Sequence, residues 1–311
     1  MVVMHRRTRF GIRMETVYFA RGTEPYRTDA DLVLFAFAAE DAVTVRNRRL
    51  NWSIQLDLSP DEEQLLEGTN VHLRKELRKA LREGASLRCE VLRHPTDAQI
   101  QAYAGRQDAF SHRQRADAVD LRHLAELAER DMLAILHVLS PEGGILAGCS
   151  LWICADRAYG LHAFSTFRRF TEPSARRRAG TATKRMYWQA VLLAKREHCR
   201  VFDFGLAIHA RHDPQGHLRG IDSLKYEFGA RPVKEFDFYK ACTWKGRLIL
   251  PLLLLSKWRP FDRYEPVLPA VPPTVSPGIP SGVPLSDPPA GSPPPAAGGN
   301  AAVPRRQHAA E

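Results

Sequence analysis

The sequence predicts an α+β fold: strands of mixed sheet layered with helices on both faces. Three observations carry this prediction. Short β-rich runs with period-two alternation open the chain and return in its middle. Segments with helical, 3.6-residue periodicity are interleaved among them. From Ala158 to Tyr239 the order becomes strand, Arg-rich stretch with one glycine, amphipathic helix, short apolar strand, polar loop, helix and strand.

Taken in order, Glu15–Ala20, Leu32–Ala38, Ala42–Arg46 and Asn51–Leu58 read as strands between polar turns. Ser59-Pro60-Asp61-Glu62 supplies an N-cap, a proline at the first helical position and an early acid, so a helix starts there. In Asn70–Glu83, Leu73, Leu77, Ala80 and Leu81 form one apolar stripe, Arg74, Lys75, Arg78, Lys79 and Arg82 cover the rest, and Gly84 closes the helix. That basic face reads either as a solvated surface or as a phosphate-facing one, with Arg74 and Arg78 as substrate contacts. Ser86–Arg93 follows as a strand, then helices from Thr96-Asp97 to about Asp108 and over Ala116–Arg130. Met132–Leu139, Ile145–Cys154 and Ala158–Ser165 form a three-strand meander with turn residues between them.

Composition sets the outer limits. The chain has 311 residues, and 45 Lys and Arg against 35 Asp and Glu give a formal net charge of +10, which favours an anionic partner without naming it. Five cysteines, odd in number and without CxxC pairing, argue against a disulfide framework or zinc finger and for a cytoplasmic location. The basic N-terminus lacks the apolar run of a signal peptide, and no stretch approaches the roughly 20 apolar residues of a membrane span. Leu248–Leu255 is too short to span. It reads as a buried segment or, flanked by Lys245, Arg247, Lys257 and Arg259, as a peripheral membrane contact. From Pro266 onward Pro, Gly, Ala and Ser dominate, a composition expected to be disordered.

The chemistry concentrates after the meander. Arg176–Ala182 reads as a turn joining the last meander strand to the helix Gly180–His198, with the first helical N–H groups and the arginines converging on an anion. An ordinary basic loop is the alternative. In the strand Arg200–Phe204, Asp203 flanked by aromatics is either a paired structural carboxylate or a site residue. His209, His212 and His217 match no standard metal spacing, so no metal is expected. GxSxG is absent, so no covalent nucleophile is indicated.

Four motifs then line up. The basic helix ending in "EG" at Arg74–Gly84, the R-x-x-G-x-A stretch at Arg177–Ala182, "FDFG" at Phe202–Gly205 and "LKYEFGA" at Leu224–Ala230 resemble the Fem-type (FemAB-like) branch of the GNAT acyltransferase superfamily, over about Leu56 to Tyr239. The resemblance implies a GNAT-like mixed sheet with flanking helices. It also implies an acyl-CoA co-substrate whose pyrophosphate is held by the stretch containing Arg177, Arg178, Gly180, Thr181 and Ala182. Fem-type relatives instead use aminoacyl-tRNA and extend peptidoglycan cross-bridges, with a reacting-centre lysine in F-K-x-x-F-G. Lys225 matches it, with Leu224 in place of the aromatic. By position, Tyr226 matches the general-acid tyrosine that many GNAT enzymes carry.

The expected reaction is acyl transfer to an amine, on a cell-envelope precursor or amino sugar, without a permanently bound cofactor. His162 or Asp203 would act as base, Tyr226 as acid and Lys225 as a stabiliser of negative charge. A Fem-type aminoacyl-tRNA enzyme and a non-catalytic anion- or RNA-binding protein on the same scaffold are the alternatives. The expected organisation is a basic segment over 1–13, a reduced GNAT-like half over 14–110, a catalytic half over 111–245, an apolar and basic connection over 246–265, and the Pro-rich tail over 266–311.

Overall fold

The computed structural model describes residues 2–22, 26–43, 48–82, 87–114, 118–207 and 219–257. Gly84, the His209–His217 stretch and the Pro-rich tail lie outside the described residues. The described strands are β1 (Val2–Arg9), β2 (Ile12–Tyr18), β3 (Leu32–Ala38), β4 (Arg48–Asp57), β5 (Arg88–Leu92), β6 (Leu133–Leu139), β7 (Ile145–Cys154), β8 (Arg157–Ser165), β9 (Val201–Leu206) and β10 (Arg231–Ala241). They form one ten-stranded sheet in the order β1-β2-β3-β10-β4-β9-β8-β7-β6-β5. The β2–β3 and β8–β9 pairs are parallel and the rest antiparallel. The mixed-sheet α+β class is therefore as the sequence predicts, with a helical crossover between the parallel strands β8 and β9.

Helices cover both faces: α1 (Glu62–Glu67), α2 (Val71–Arg82), α3 (Asp97–Gln114), α4 (Leu121–Glu129), α5 (Pro173–Arg196), α6 (Arg219–Glu227) and α7 (Trp244–Lys257). Side chains alternate across a strand, so β6 feeds two separate cores. Leu133 and Ile135 join Tyr103 and Leu124 of α3 and α4, with Trp152 of β7. Ala134, Leu136 and Val138 join Leu73 and Leu77 of α2 and Met186 of α5 on the opposite face. Of the stripe predicted for α2, Leu73, Leu77 and Ala80 are buried at 0%, 1% and 5% exposure, whereas Leu81 is 44% exposed. Full burial of such a side chain contributes about 1.5–3 kcal/mol, so α2 is seated by its leucines whatever its cations do.

The basic N-terminal segment forms β1, paired with β2 from Val2↔Tyr18 to Arg9↔Ile12. Four local expectations are corrected. The cap of α1 is Asp61, which accepts from the Gln64 N–H while Gln64 returns the bond, a capping box; the Ser59 hydroxyl donates to Asp57 instead. Glu40–Ala42 is a short 3-10 turn where a strand was expected to begin. The long helix before β9 starts at Pro173, seven residues early, because proline is pre-set for the first helical position and no strong helix breaker follows until Gly180. Finally, the run expected to be buried at Leu248–Leu255 lies on α7 with Leu248 66% and Leu252 65% exposed.

Candidate active site

The parallel contact between β8 and β9 lasts for three residue pairs, Arg157↔Val201, Ala158↔Phe202 and Tyr159↔Asp203. Both strands run on, β8 to Ser165 and β9 to Leu206, each still paired on its other side. Two glycines mark where they part. A Cβ on Gly205 would stand 3.2 Å from the Gly160 carbonyl oxygen, and one on Gly160 would stand 3.3 Å from that of Asp203. Gly205 also has φ +86°, where a side chain is strained. Beyond them, among the described residues, Leu161–Ser165 has no strand partner on the β9 side. Pairing thus ends at the carboxyl ends of two parallel strands, the place where ligands of layered α/β sheets bind, and this parting of β8 and β9 is termed the opening.

The floor of this opening is an ion-pair cluster. Arg157 donates through Nη1 to Glu235 Oε1 at 2.6 Å and through Nη2 to Glu235 Oε2 at 3.0 Å, and it also pairs with Asp203. Side-chain exposures are 2%, 0% and 6% for Arg157, Asp203 and Glu235. Asp203 Oδ1 accepts the Gly205 N–H at 2.7 Å, Gln55 Nε2 donates to Glu235 at 3.1 Å, and the guanidinium lies 4.2 Å from the Phe19 ring centroid. Asp203 is therefore a structural partner of Arg157. The general-base role read for it does not fit, since no solvent or substrate reaches a carboxylate so held.

Lys225 sits at the rim. It is 5% exposed, and its ammonium donates to the Leu206 carbonyl at 2.9 Å and pairs with Asp222 Oδ1 at 3.0 Å. Burial pushes its pKa below the ordinary lysine value, and the Asp222 charge opposes that shift. Tyr226 follows it on α6, buried in the α5-side core with Phe204 and Phe228. Tyr187 of α5, not singled out in the sequence, has its ring centroid 5.6 Å from that of Phe204, the two planes tilted by 49°. Burial raises its phenol well above the ordinary value, with Cys149 and Asp222 adding to the shift. Its signal was an aromatic immediately beside the inward stripe residue Met186.

His162 belongs to the other face. It shares the alternation of Phe164, which packs with the α3 and α4 core. Its Nδ1 is 3.3 Å from the Ser150 hydroxyl, and its carbonyl accepts from Tyr103 Oη at 3.2 Å. Burial holds the imidazole below its ordinary pKa, aided by His123 and opposed by Asp108, so it is neutral at pH 7. The fold thus gathers Lys225, Tyr226, Asp222 and Tyr187 on the α5 side of the opening, and Ser150, Tyr103 and His162 towards α3.

The basic stretch is not a turn. Arg177, Arg178, Gly180, Thr181 and Ala182 all lie inside α5, Ala182 fully buried and Gly180 without a positive φ. The Glu172 carboxylate already accepts from the Ser174 and Ala175 N–H groups at 2.8 and 2.6 Å. The expected anion-binding strand-to-helix turn is therefore absent, and a native carboxylate takes the helix start. Arg178 does line a cleft of about 410 Å³ past the end of β8, with Arg169, Thr166, Ser140, Glu142 and Phe170. On α2, Arg74 pairs with Glu67 and donates to the Thr69 carbonyl at 2.9 Å, while Arg78 pairs with Glu63 and Glu67. These two arginines join α2 to α1. Among the described residues, no group of three or more His, Cys, Asp or Glu is placed to hold a metal.

No protein-family model matches the chain, and no curated protein matches it. Solved structures do resemble it. The structure of FemX is similar at a TM-score of 0.49 and 14% identity, over 66% of this chain and 63% of that one. The C-terminal domain of a lysylphosphatidylglycerol synthetase from Agrobacterium fabrum, itself named as putative, is similar at 0.46 and 14%, over 71% and 72% of the two chains. Saccharomyces cerevisiae N-myristoyltransferase with bound myristoyl-CoA is similar at 0.36 and 15%, over 68% and 51%. The chain spans less than two thirds of the FemX length.

Proposed function

We propose that this protein is an N-acyltransferase that moves an acyl group from an acyl-CoA thioester to an amine. The observation that carries the reading is the parting of β8 and β9 after Tyr159↔Asp203, with Lys225 at its rim. The pantetheine arm of CoA is extended and carries two amides. An unpaired strand edge such as Leu161–Ser165 offers such a chain the backbone hydrogen bonds of an added strand. The Arg169 and Arg178 cleft at the end of β8 offers cations for its phosphates.

In the reaction an uncharged amine attacks the thioester carbonyl carbon, forming the C–N bond and an oxyanion. Collapse breaks the C–S bond, the amine loses a proton, and the thiolate gains one. Lys225 stabilises the negative charge, Tyr226 protonates the thiolate, and His162 accepts the amine proton. Because His162 faces α3 and α6 packs with α5, donor and acceptor enter from opposite faces. The acceptor class is an amine of a cell-envelope precursor or amino sugar, and the site of action is the cytoplasm.

The test is a thermal shift of the full chain with CoA and, separately, with tRNA. Ligand at 100 times Kd stabilises by about 2.7 kcal/mol. A saturable rise in Tm with CoA is expected. No response to CoA, together with RNase-sensitive co-purification of tRNA, would replace this reading by an aminoacyl-tRNA-dependent one. Arg74 and Arg78 of the basic helix pair with α1 carboxylates, which counts against that alternative.

A further inference from the structure

Helix α7 carries an apolar stripe that faces outward. Trp244, Leu248 and Leu252 recur at four-residue spacing, which places them on one face, and they are 67%, 66% and 65% exposed. The opposite side is fixed against the sheet. A Cβ on Gly246 would collide with the Asp31 carbonyl oxygen, so the helix backbone rests directly on the start of β3. The Cys242 N–H donates to that same carbonyl at 2.9 Å, and the Thr243 hydroxyl donates to Asp31 Oδ1 at 2.6 Å. The apolar stripe is thus presented outward by a rigidly held corner.

The same corner carries a second exposed aromatic and a set of cations. Asp31 accepts the Arg13 N–H at 2.9 Å, which brings the start of β2 and the Phe10–Gly11 hairpin tip to this end of the sheet. Phe10 is 90% exposed. Lys245 and Arg247 flank the stripe on α7, both exposed, and Arg247 makes no ion pair among the described residues. The whole chain carries a formal charge of +10. Outward Trp and Leu beside exposed Lys and Arg are the groups with which a helix lies in a membrane interface. No described helix is long and apolar enough to cross a bilayer.

We propose that α7, with the Phe10 hairpin tip beside it, docks the protein on the surface of an anionic lipid bilayer. Trp244, Leu248 and Leu252 enter the boundary between headgroups and acyl chains, and Lys245 and Arg247 meet the lipid phosphates. A second copy of the chain would equally cover the leucines, but it would set Lys245 and Arg247 against their own kind. Charge complementarity therefore favours the lipid. This inference is independent of the acyl-transfer reading and stands if that reading fails.

Flotation of the full chain with vesicles of phosphatidylcholine alone and of phosphatidylcholine with phosphatidylglycerol tests it. Binding is expected for the anionic vesicles and should weaken as salt rises. Leu248→Ser with Leu252→Ser, at sites two thirds exposed, should lower binding by at least about tenfold without lowering Tm. Lys245→Glu with Arg247→Glu should abolish the preference for anionic vesicles. Two results would overturn the proposal: unchanged flotation of both variants, or no flotation of the native chain alongside a dimer in sedimentation that the leucine substitutions dissociate.

Discussion

Replacing Arg157 by methionine would leave two carboxylates, Asp203 and Glu235, buried at 0% and 6% exposure without their cation. Methionine approximates the volume and fills the space beside Phe19, so the experiment removes charge more than packing. Breaking a buried pair by deleting one partner costs about 3–5 kcal/mol. Here Gln55 still donates to Glu235 and the Gly205 N–H to Asp203, which offsets part of the loss and places the expectation near the lower end, at about 3 kcal/mol. The orphaned carboxylates must remain desolvated anions or take up protons. The folded variant therefore binds protons that its unfolded chain has released, and its stability deficit grows as pH rises from 5 to 8. Urea unfolding at both pH values measures this. Adding Asp203→Asn and Glu235→Gln removes the uncompensated charge and should recover most of the loss. A single-variant loss below about 1 kcal/mol, or a deficit independent of pH, would refute the claim that this cluster is a dry ion pair under the β8–β9 opening.

Two further outcomes concern the reaction and the helix start. Lys225 has its pKa lowered by burial and His162 likewise, so the rate should follow a bell with its acid limb below 6.5, where the base protonates, and its alkaline limb below 10.5, where the ammonium is lost. His162→Gln should remove the acid limb, and Lys225→Met should cut kcat by about 10²- to 10³-fold with CoA binding retained, both read from thiol release in steady state. Glu172→Ala removes the carboxylate that occupies the Ser174 and Ala175 N–H groups. It should lower stability in urea unfolding yet tighten CoA, because it frees a helix start for phosphate; weaker CoA binding would contradict the competition.

The sequence by itself determined what depends on local periodicity and composition. The meander β6–β7–β8, the helix stripe Leu73–Leu77–Ala80 and the order strand, helix, strand around Asp203 follow from side-chain alternation and helical spacing, which are properties of a few consecutive residues. Lys225 was legible as a candidate from its motif. The tertiary structure decided which charges are available. Glu63 and Glu67 of α1 pair with Arg74 and Arg78 of α2 across seven to fifteen residues, which depends on how the two helices meet, while Glu172 caps α5 locally. It also decided that Asp203 faces Arg157 and Glu235, from strands separated in sequence and joined only by the sheet order. Last, it turned the Leu248–Leu255 run outward. Apolar composition says that a segment avoids water, and only packing against Asp31 and β10 says which face has found shelter and which still lacks it.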